Sequence, residues 1–445
     1  MMTHGVKYLI GDTREQVATI PDGSISLVAT SPPFIALRSY LPADHPMKHA
    51  EIGSEPDPAT FLDTLLALTA EWGRVLAPWG SIAIELGDTY AGSGGAGGDY
   101  NDGGIRAGQA KFKQTSGWHR GAREGRADGA AYRKGDTVDT GPKGGANWPR
   151  PKCLALVPQL YAASLAYGRN LLTGEPSPAG QWLVRNMIVW HRPNPAVGAL
   201  GDKYRPSTSY ITVATRSPKR WFDLTAVRTE HKEPGREWRN TERKVHLAPH
   251  REGATIDQNP AGAPPLDAWF DHHDTWTLTT QPSSLAHYAM WPAKLAERLI
   301  LSMCPEFVCA TCGEPRRRVE GKAEYTQHGA PAKMLDMRQG DRSHLPPDVR
   351  NWGKTTGGDT GSVTRSAPTL GWTDCGHDNY RPGHVLDPFG GTGTTGAVAH
   401  LHGRDATLID IDERNANMYP ARLDECRRTL FGVKPELPGQ EALFG

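Results

Sequence analysis

His384-Val385-Leu386-Asp387-Pro388-Phe389-Gly390-Gly391-Thr392-Gly393-Thr394-Thr395-Gly396 decides the fold. His384 to Asp387 reads as a strand. Gly391 to Gly396 fit the G-x-G-x-x-G spacing directly after it, ahead of a helical run to Leu401. Glycine is needed there because the chain must turn tightly and let a ligand reach its backbone, with a helix N-terminus offering unpaired N–H groups. The next apolar run, Ala406 to Ile409, ends at Asp410, whose carboxylate can accept hydrogen bonds from ribose hydroxyls. Only about fifty residues follow Gly391, too few to complete a nucleotide-binding sheet, so the remaining strands must come from earlier in the chain.

Those strands are legible near the start. Lys7 to Ile10 is strand-like, Thr13 to Ile20 fits a short helix, and Ser24 to Ala29 is a second apolar run that stops at Thr30-Ser31-Pro32-Pro33-Phe34. A loop that follows a buried strand lies at the carboxyl edge of the sheet, where open α/β folds bind their ligands. Its two prolines fix the backbone and remove donors, leaving carbonyl oxygens and the Ser31 hydroxyl as positioned acceptors. Such a loop suits an NH₂ group, and Phe34 can stack on a base that carries one. Asp57-Pro58 then caps a helix with Phe61, Leu65, Leu68, Trp72 and Val75 at helical spacing. Pro78-Trp79-Gly80 breaks that pattern ahead of a strand over 81–86. A helix over 154–167, strands over 183–190 and 210–214, and an amphipathic helix opened by Pro292 complete the regular signals.

Composition narrows the class. The chain has 445 residues, 38% hydrophobic and 22% charged, with a formal net charge of +1, so any basic footprint must be local. No apolar run approaches bilayer length, and Met1 to Lys7 lack the layout of a secretion signal, so a membrane is excluded as partner and the cytoplasm is expected. Six cysteines at 153, 304, 309, 312, 375 and 426 do not form a disulfide framework. Cys309-Ala310-Thr311-Cys312-Gly313 is instead a knuckle-like C-x-x-C-G that Cys375 and His377 could complete as an S₃N zinc site, with Cys304 as the alternative fourth ligand. The adjoining Arg316-Arg317-Arg318 is either a phosphate contact or a solvated face.

Together, the proline loop and the later glycine loop resemble the amino-methylating DNA methyltransferases of the β class, and the resemblance covers nearly the whole chain. It implies a Rossmann-like α/β fold of the S-adenosylmethionine-dependent methyltransferases with permuted motif order, irregular insertions and a small zinc-binding insertion. It implies Ser31, Pro32, Pro33 and Phe34 as catalytic. It also implies Asp12, Asp387, Phe389, Gly390, Gly391, Gly393, Thr394, Thr395, Asp410 and Pro292 as binders of S-adenosylmethionine. Trp190, His191, Arg192 and Pro193 match the motif that lines the base pocket, and His287 to Leu295 resembles the helix start that closes the cofactor site. Serine at the head of the proline motif is similar to cytosine-N4 enzymes, with adenine N6 as the alternative. Ser209 departs from the glutamate that relatives often carry after an Arg-Pro pair, here Arg205-Pro206.

The implied organisation is a catalytic half (1–91), a glycine-rich insertion (92–150), a continuation of the catalytic domain (151–225) and a target-recognition insertion (226–285). A cofactor-closing helix (286–303), a cysteine-bearing insertion (304–380) and a cofactor-binding half (381–445) follow. The implied partners are DNA and a restriction endonuclease, in a bacterial cytoplasm or in that of a phage's host. An NAD-dependent oxidoreductase would account for the glycine loop and Asp410 but leaves the proline loop unexplained, and a non-catalytic zinc-bearing DNA-binding protein leaves the intact catalytic motif unexplained.

Overall fold

The computed structural model describes residues 2–3, 5–35, 40–41, 44–91, 147–193, 204–228, 291–321, 324–328, 362–366 and 369–432. The glycine-rich stretch 92–146, most of the 226–285 insertion, the motif residues 287–290 and the pair 194–195 lie outside the described residues. The chain divides into two units: Met1–Asp223, Leu266–Arg316 and Cys375–Gly445 form one, and Leu224–Pro265 with Arg317–Asp374 form the other.

The first unit holds β1 (Met2–Thr3), β2 (Val6–Ile10), α1 (Thr13–Ala18), β3 (Ile25–Thr30), α2 (Pro58–Val75), β4 (Leu76–Leu86), α3 (Val157–Tyr167), β5 (Leu183–His191), β6 (Thr208–Thr215), α4 (Ala293–Met303) and β7 (Phe307–Cys309). In the second unit lie β8 (Arg318–Glu320), β9 (Glu324–His328), β10 (Ser362–Ser366) and β11 (Thr369–Trp372). Back in the first come β12 (Tyr380–Pro382), β13 (His384–Asp387), α5 (Thr394–Leu401), β14 (Asp405–Asp410), α6 (Glu413–Asn417) and α7 (Tyr419–Phe431).

Eight strands form one sheet in the order β1-β2-β14-β13-β3-β4-β6-β5. From β2 to β4 every pairing is parallel, whereas β6 runs antiparallel to both β4 and β5. Strands β13 and β14 from the end of the chain thus lie between β2 and β3 from its beginning, as the shortness of the tail after Gly391 requires. This is the Rossmann-like α/β architecture with permuted motif order. Helices α1, α2 and α3 pack on one face over a core that includes Phe61, Leu65 and Trp72; α4, α5 and α7 pack on the other around Leu295, Leu299 and Val398. Strand β3 is buried along its whole length, which explains its unbroken apolar run. Among the described residues, no helix is long and apolar enough to cross a membrane.

Three boundaries differ from the sequence reading. Strand β4 begins at Leu76 and runs through Pro78 instead of starting at Ser81. Its pairing with β3 jumps from Ile25↔Leu76 to Leu27↔Ser81, so residues 77–80 form a bulge, and the exposed Pro78 forfeits no ladder hydrogen bond there. Helix α3 starts at Val157 and not Leu154, because Leu156 takes a left-handed conformation while the Asp88 carboxylate accepts the N–H groups of Leu156 and Val157. The insertion read as 304–380 is narrower: residues 304–316 and 375–380 belong to the sheet-bearing unit, and 317–374 to the second. Among the described residues, that second unit contains two antiparallel pairs, β8 with β11 and β9 with β10.

Candidate active site

Strand β13 ends at Asp387 and β3 at Thr30, side by side, so the glycine and proline loops leave the same edge of the sheet. One buried carboxylate joins them. Asp387 accepts from the Thr30 hydroxyl (2.5 Å) and the Phe389 N–H (3.1 Å) on Oδ1, and from the Thr395 hydroxyl (2.5 Å) on Oδ2. Burial nonetheless pushes its pKa up to about 6, against the pull of those donors. Asp387 was expected to meet the cofactor. In the structure it is 3% exposed and clamps the root of both loops.

The glycine loop is shaped by crowding. Gly391 and Gly393 have φ of +51° and +89°. A Cβ on Gly393 would lie 2.2 Å from the Tyr8 hydroxyl and 2.5 Å from the Tyr419 ring, and one on Gly390 would lie 2.9 Å from the Leu408 side chain. The loop then enters α5, whose first-turn N–H groups face it. Thr394 and Thr395 direct their hydroxyls inward, Thr394 accepting from the buried Arg422 (2.9 Å) and Thr395 donating to Asp387. They serve the loop through backbone and packing. Arg422, which the sequence reading missed, also donates to the Trp291 carbonyl (3.2 Å) just before Pro292 and to Glu425 (2.9 Å), tying the start of α4 to the glycine loop. Its signal was faint, one of three arginines on a polar helix.

At the end of the neighbouring β14, Asp410 accepts on Oδ2 from the Gly391 N–H (2.7 Å) and on Oδ1 from the Asp412 N–H (2.8 Å) and the Asn415 amide (3.0 Å). Among the described residues this fills three of a carboxylate's four or so acceptor sites and leaves one on Oδ2. Burial raises Asp410 to about 6. Two further hydroxyls lie buried at this edge without a partner among the described residues, those of Thr392 in the glycine loop and Thr13 after β2. A nucleoside cofactor fits these acceptors and orphaned hydroxyls. Asp12 caps α1 and is held by Arg14, at 2.7 Å in the closest contact, and Asp412 holds Arg414 in the same way across the start of α6.

On the proline loop, Ser31 donates its hydroxyl to Glu85 Oε2 at 2.5 Å. Glu85 is 3% exposed near the end of β4, and burial raises its pKa; the hydroxyls of Ser209 and Ser31 and the charge of Arg192 oppose that rise. Ser209, which departs from the family pattern on β6, therefore faces a carboxylate supplied by β4. The sequence did carry a sign of Glu85: it is the lone charge in the apolar run Ser81-Ile82-Ala83-Ile84-Glu85-Leu86. Pro32 is buried and Phe34 half-buried, with its ring against Gly87, where a Cβ would come within 2.5 Å of it. Trp190 and His191 end β5 at the same edge, paired with Ser209 and Thr208. Arg192 lies 5.4 Å from the Trp190 ring centroid, and Pro193 is exposed beside it.

The cysteine motif also comes together, away from this edge. One ligand atom from each of Cys309, Cys312, Cys375 and His377 lies within 4.8 Å of the others. Cys304 does not join them; it sits at the end of α4 in the core, where burial pushes its thiol up to about 12. Two of the three adjoining arginines rest on aromatic rings: Arg316 lies 5.1 Å from the Tyr380 centroid and Arg318 4.7 Å from that of Trp372.

Comparison with known proteins agrees with this geometry. Residues 25–307, which include the proline loop, Glu85 and Trp190, match the model of the N6/N4 DNA methylase family. The chain belongs to that family of amino-methylating DNA methylases. It is 26% identical over 223 residues to the type II methyltransferase M.SfiI of Streptomyces fimbriatus, covering 50% of this chain but only 38% of that protein. To the type II methyltransferase M.Cfr9I of Citrobacter freundii it is 25% identical over 299 residues, covering 67% of this chain and 73% of that one. Among solved structures, PvuII DNA methyltransferase, described as cytosine-N4-specific, gives a TM-score of 0.41 at 13% identity, covering 95% of this chain and 94% of that chain.

Proposed function

We propose that this chain transfers a methyl group from S-adenosylmethionine to the exocyclic N4 of cytosine in DNA. The observation that carries the reading is the Ser31–Glu85 hydrogen bond at the head of the proline loop. With its proton committed to Glu85, Ser31 turns its lone pairs outward and can accept an N–H from an aromatic amine. That helps withdraw the amine's lone pair from the ring. The excess proton left after transfer can pass through the Ser31 hydroxyl to the Glu85 carboxylate, which burial has already made more basic than a free one. Phe34, backed by Gly87, offers a face for an extruded base.

The cofactor, when bound, supplies an electrophilic sulfonium methyl. On this reading the glycine loop and Thr392 hold it, Asp410 accepts from its ribose through the remaining Oδ2 site, and Asp12 and Pro292 border it. Displacement at a methyl needs aligned reactants more than a strong base, so holding both loops on one carboxylate is itself catalytic support. The type II designation shared by the similar proteins supports a restriction endonuclease as partner, with DNA as substrate.

The deciding experiment incubates the purified chain with DNA and methyl-labelled S-adenosylmethionine, then digests the DNA to nucleosides. N4-methylcytosine is the expected product. N6-methyladenine alone would overturn the cytosine assignment and keep the amino-methylation.

A further inference from the structure

We infer that Cys309, Cys312, Cys375 and His377 bind one structural zinc ion. Strands β7 and β12 pair antiparallel with Tyr380 opposite Cys309, which brings the turn after β7 against the turn before β12. In the first turn the Cys312 N–H points at Cys309 Sγ (3.4 Å) and the Gly313 N–H at the Cys309 carbonyl (2.9 Å), with Gly313 at φ +75°. The second turn uses Gly376 at +78° to bring Cys375 and His377 to the same point.

His377 Nδ1 stands 3.3 Å from Cys375 Sγ and 3.6 Å from Cys309 Sγ. Four ligands at ordinary zinc distances place sulfur and nitrogen about 3.5 Å apart across a tetrahedron, so His377 already stands at coordinated spacing from Cys375 and Cys309. All three thiols of the cluster are free of disulfides, as a thiolate site requires. Four protein ligands leave no open position for chemistry. The location agrees: β12 leads into the N-terminal end of β13, opposite the edge that carries Ser31 and Asp410.

What the ion does follows from what the cluster holds. The chain leaves the sheet-bearing unit at Arg316 and returns at Cys375, so the four ligands bracket the 317–374 excursion. Two indoles anchor the same turn: Trp79 of β4 donates to the Gly313 carbonyl (3.0 Å) and Trp221 to the Arg316 carbonyl (2.9 Å). Zinc fixes both ends of the excursion to the sheet.

The test is metal analysis of the full chain, produced with zinc in the medium and without a histidine tag. About one zinc per chain is expected, and exchange for Co²⁺ should give a thiolate-to-metal charge-transfer band with tetrahedral d–d absorption. C304A should keep the zinc, and H377C should keep it while raising the charge-transfer band by about a third, from three thiolates to four. The double variant C312S/C375S should lose it. A wild-type chain with no stoichiometric zinc, or with iron in its place, overturns the inference, as does retention of zinc by the double variant. If that variant does not fold, the wild-type metal content and the H377C spectrum decide the matter alone.

Discussion

The two ends of β13 make an instructive contrast. At its carboxyl end Asp387, Thr30 and Thr395 hold two loops together while Ser31, Thr392 and one side of Asp410 keep polar capacity in reserve. Ahead of its amino end, three thiols and an imidazole turn toward one another around a point that fits a single ion. On the proposed reading, one end receives a ligand and releases it, and the other is closed around its ion. Substitutions at the first should therefore disturb turnover more than stability, and substitutions at the second the reverse.

The sharpest break falls on Glu85→Gln, which keeps the shape beside Ser31 but removes the proton acceptor. We expect kcat to fall on the order of 10²–10⁴-fold with little change in Tm, as measured by methyl incorporation and thermal melting. The wild-type profile should lose activity as pH falls through the raised pKa of Glu85, since only the ionised carboxylate accepts a proton, and the Gln variant should lack that acid limb. Gly393→Ala comes next: the positive φ and the clash with Tyr8 should distort the loop, weakening cofactor binding in a titration at least tenfold.

Asp387→Asn tests the clamp through pH. The native carboxyl has its pKa raised from 3.8 to about 6, so the folded state binds more protons than the unfolded one between those values. Stability should then fall as pH rises across that window and level off above about 6. Melting curves of the Asn variant should show a shallower slope there. The smallest effect belongs to the closed end, where Trp79→Phe removes one hydrogen bond to Gly313 and should cost about 1 kcal/mol with kcat unchanged. A large loss of turnover in that variant would erase the contrast.

The same contrast explains what could be read from the sequence. The glycine and proline loops were legible because their backbones demand particular residues in a particular order, and the cysteine knuckle because metal ligands obey spacing. Asp387 and Glu85 were harder for a common reason: what each carboxylate does depends on the strand beside it. For Asp387 that neighbour is Thr30 at the end of β3, which makes it a clamp between two loops. Glu85 was an unexplained charge until β3 and β6 placed Ser31 and Ser209 around it. Helix boundaries failed where a distant side chain set them, as Asp88 does for α3. The width of the cysteine-bearing insertion was misjudged because β7 and β12, each of three residues, are too short to announce themselves.

The Thr30–Asp387 bond spans 357 positions of sequence, and β2 pairs with a strand that is made just as late. During synthesis the proline loop therefore waits, without the support that shapes it, until almost the whole polypeptide has left the ribosome. A chain abandoned midway through translation carries Ser31 and Glu85 yet has no assembled centre, so premature termination should yield inert fragments and not an enzyme with relaxed selectivity. The same long closure should make refolding slow. It also offers a natural place to divide the protein into two separately expressed pieces that regain activity only on meeting.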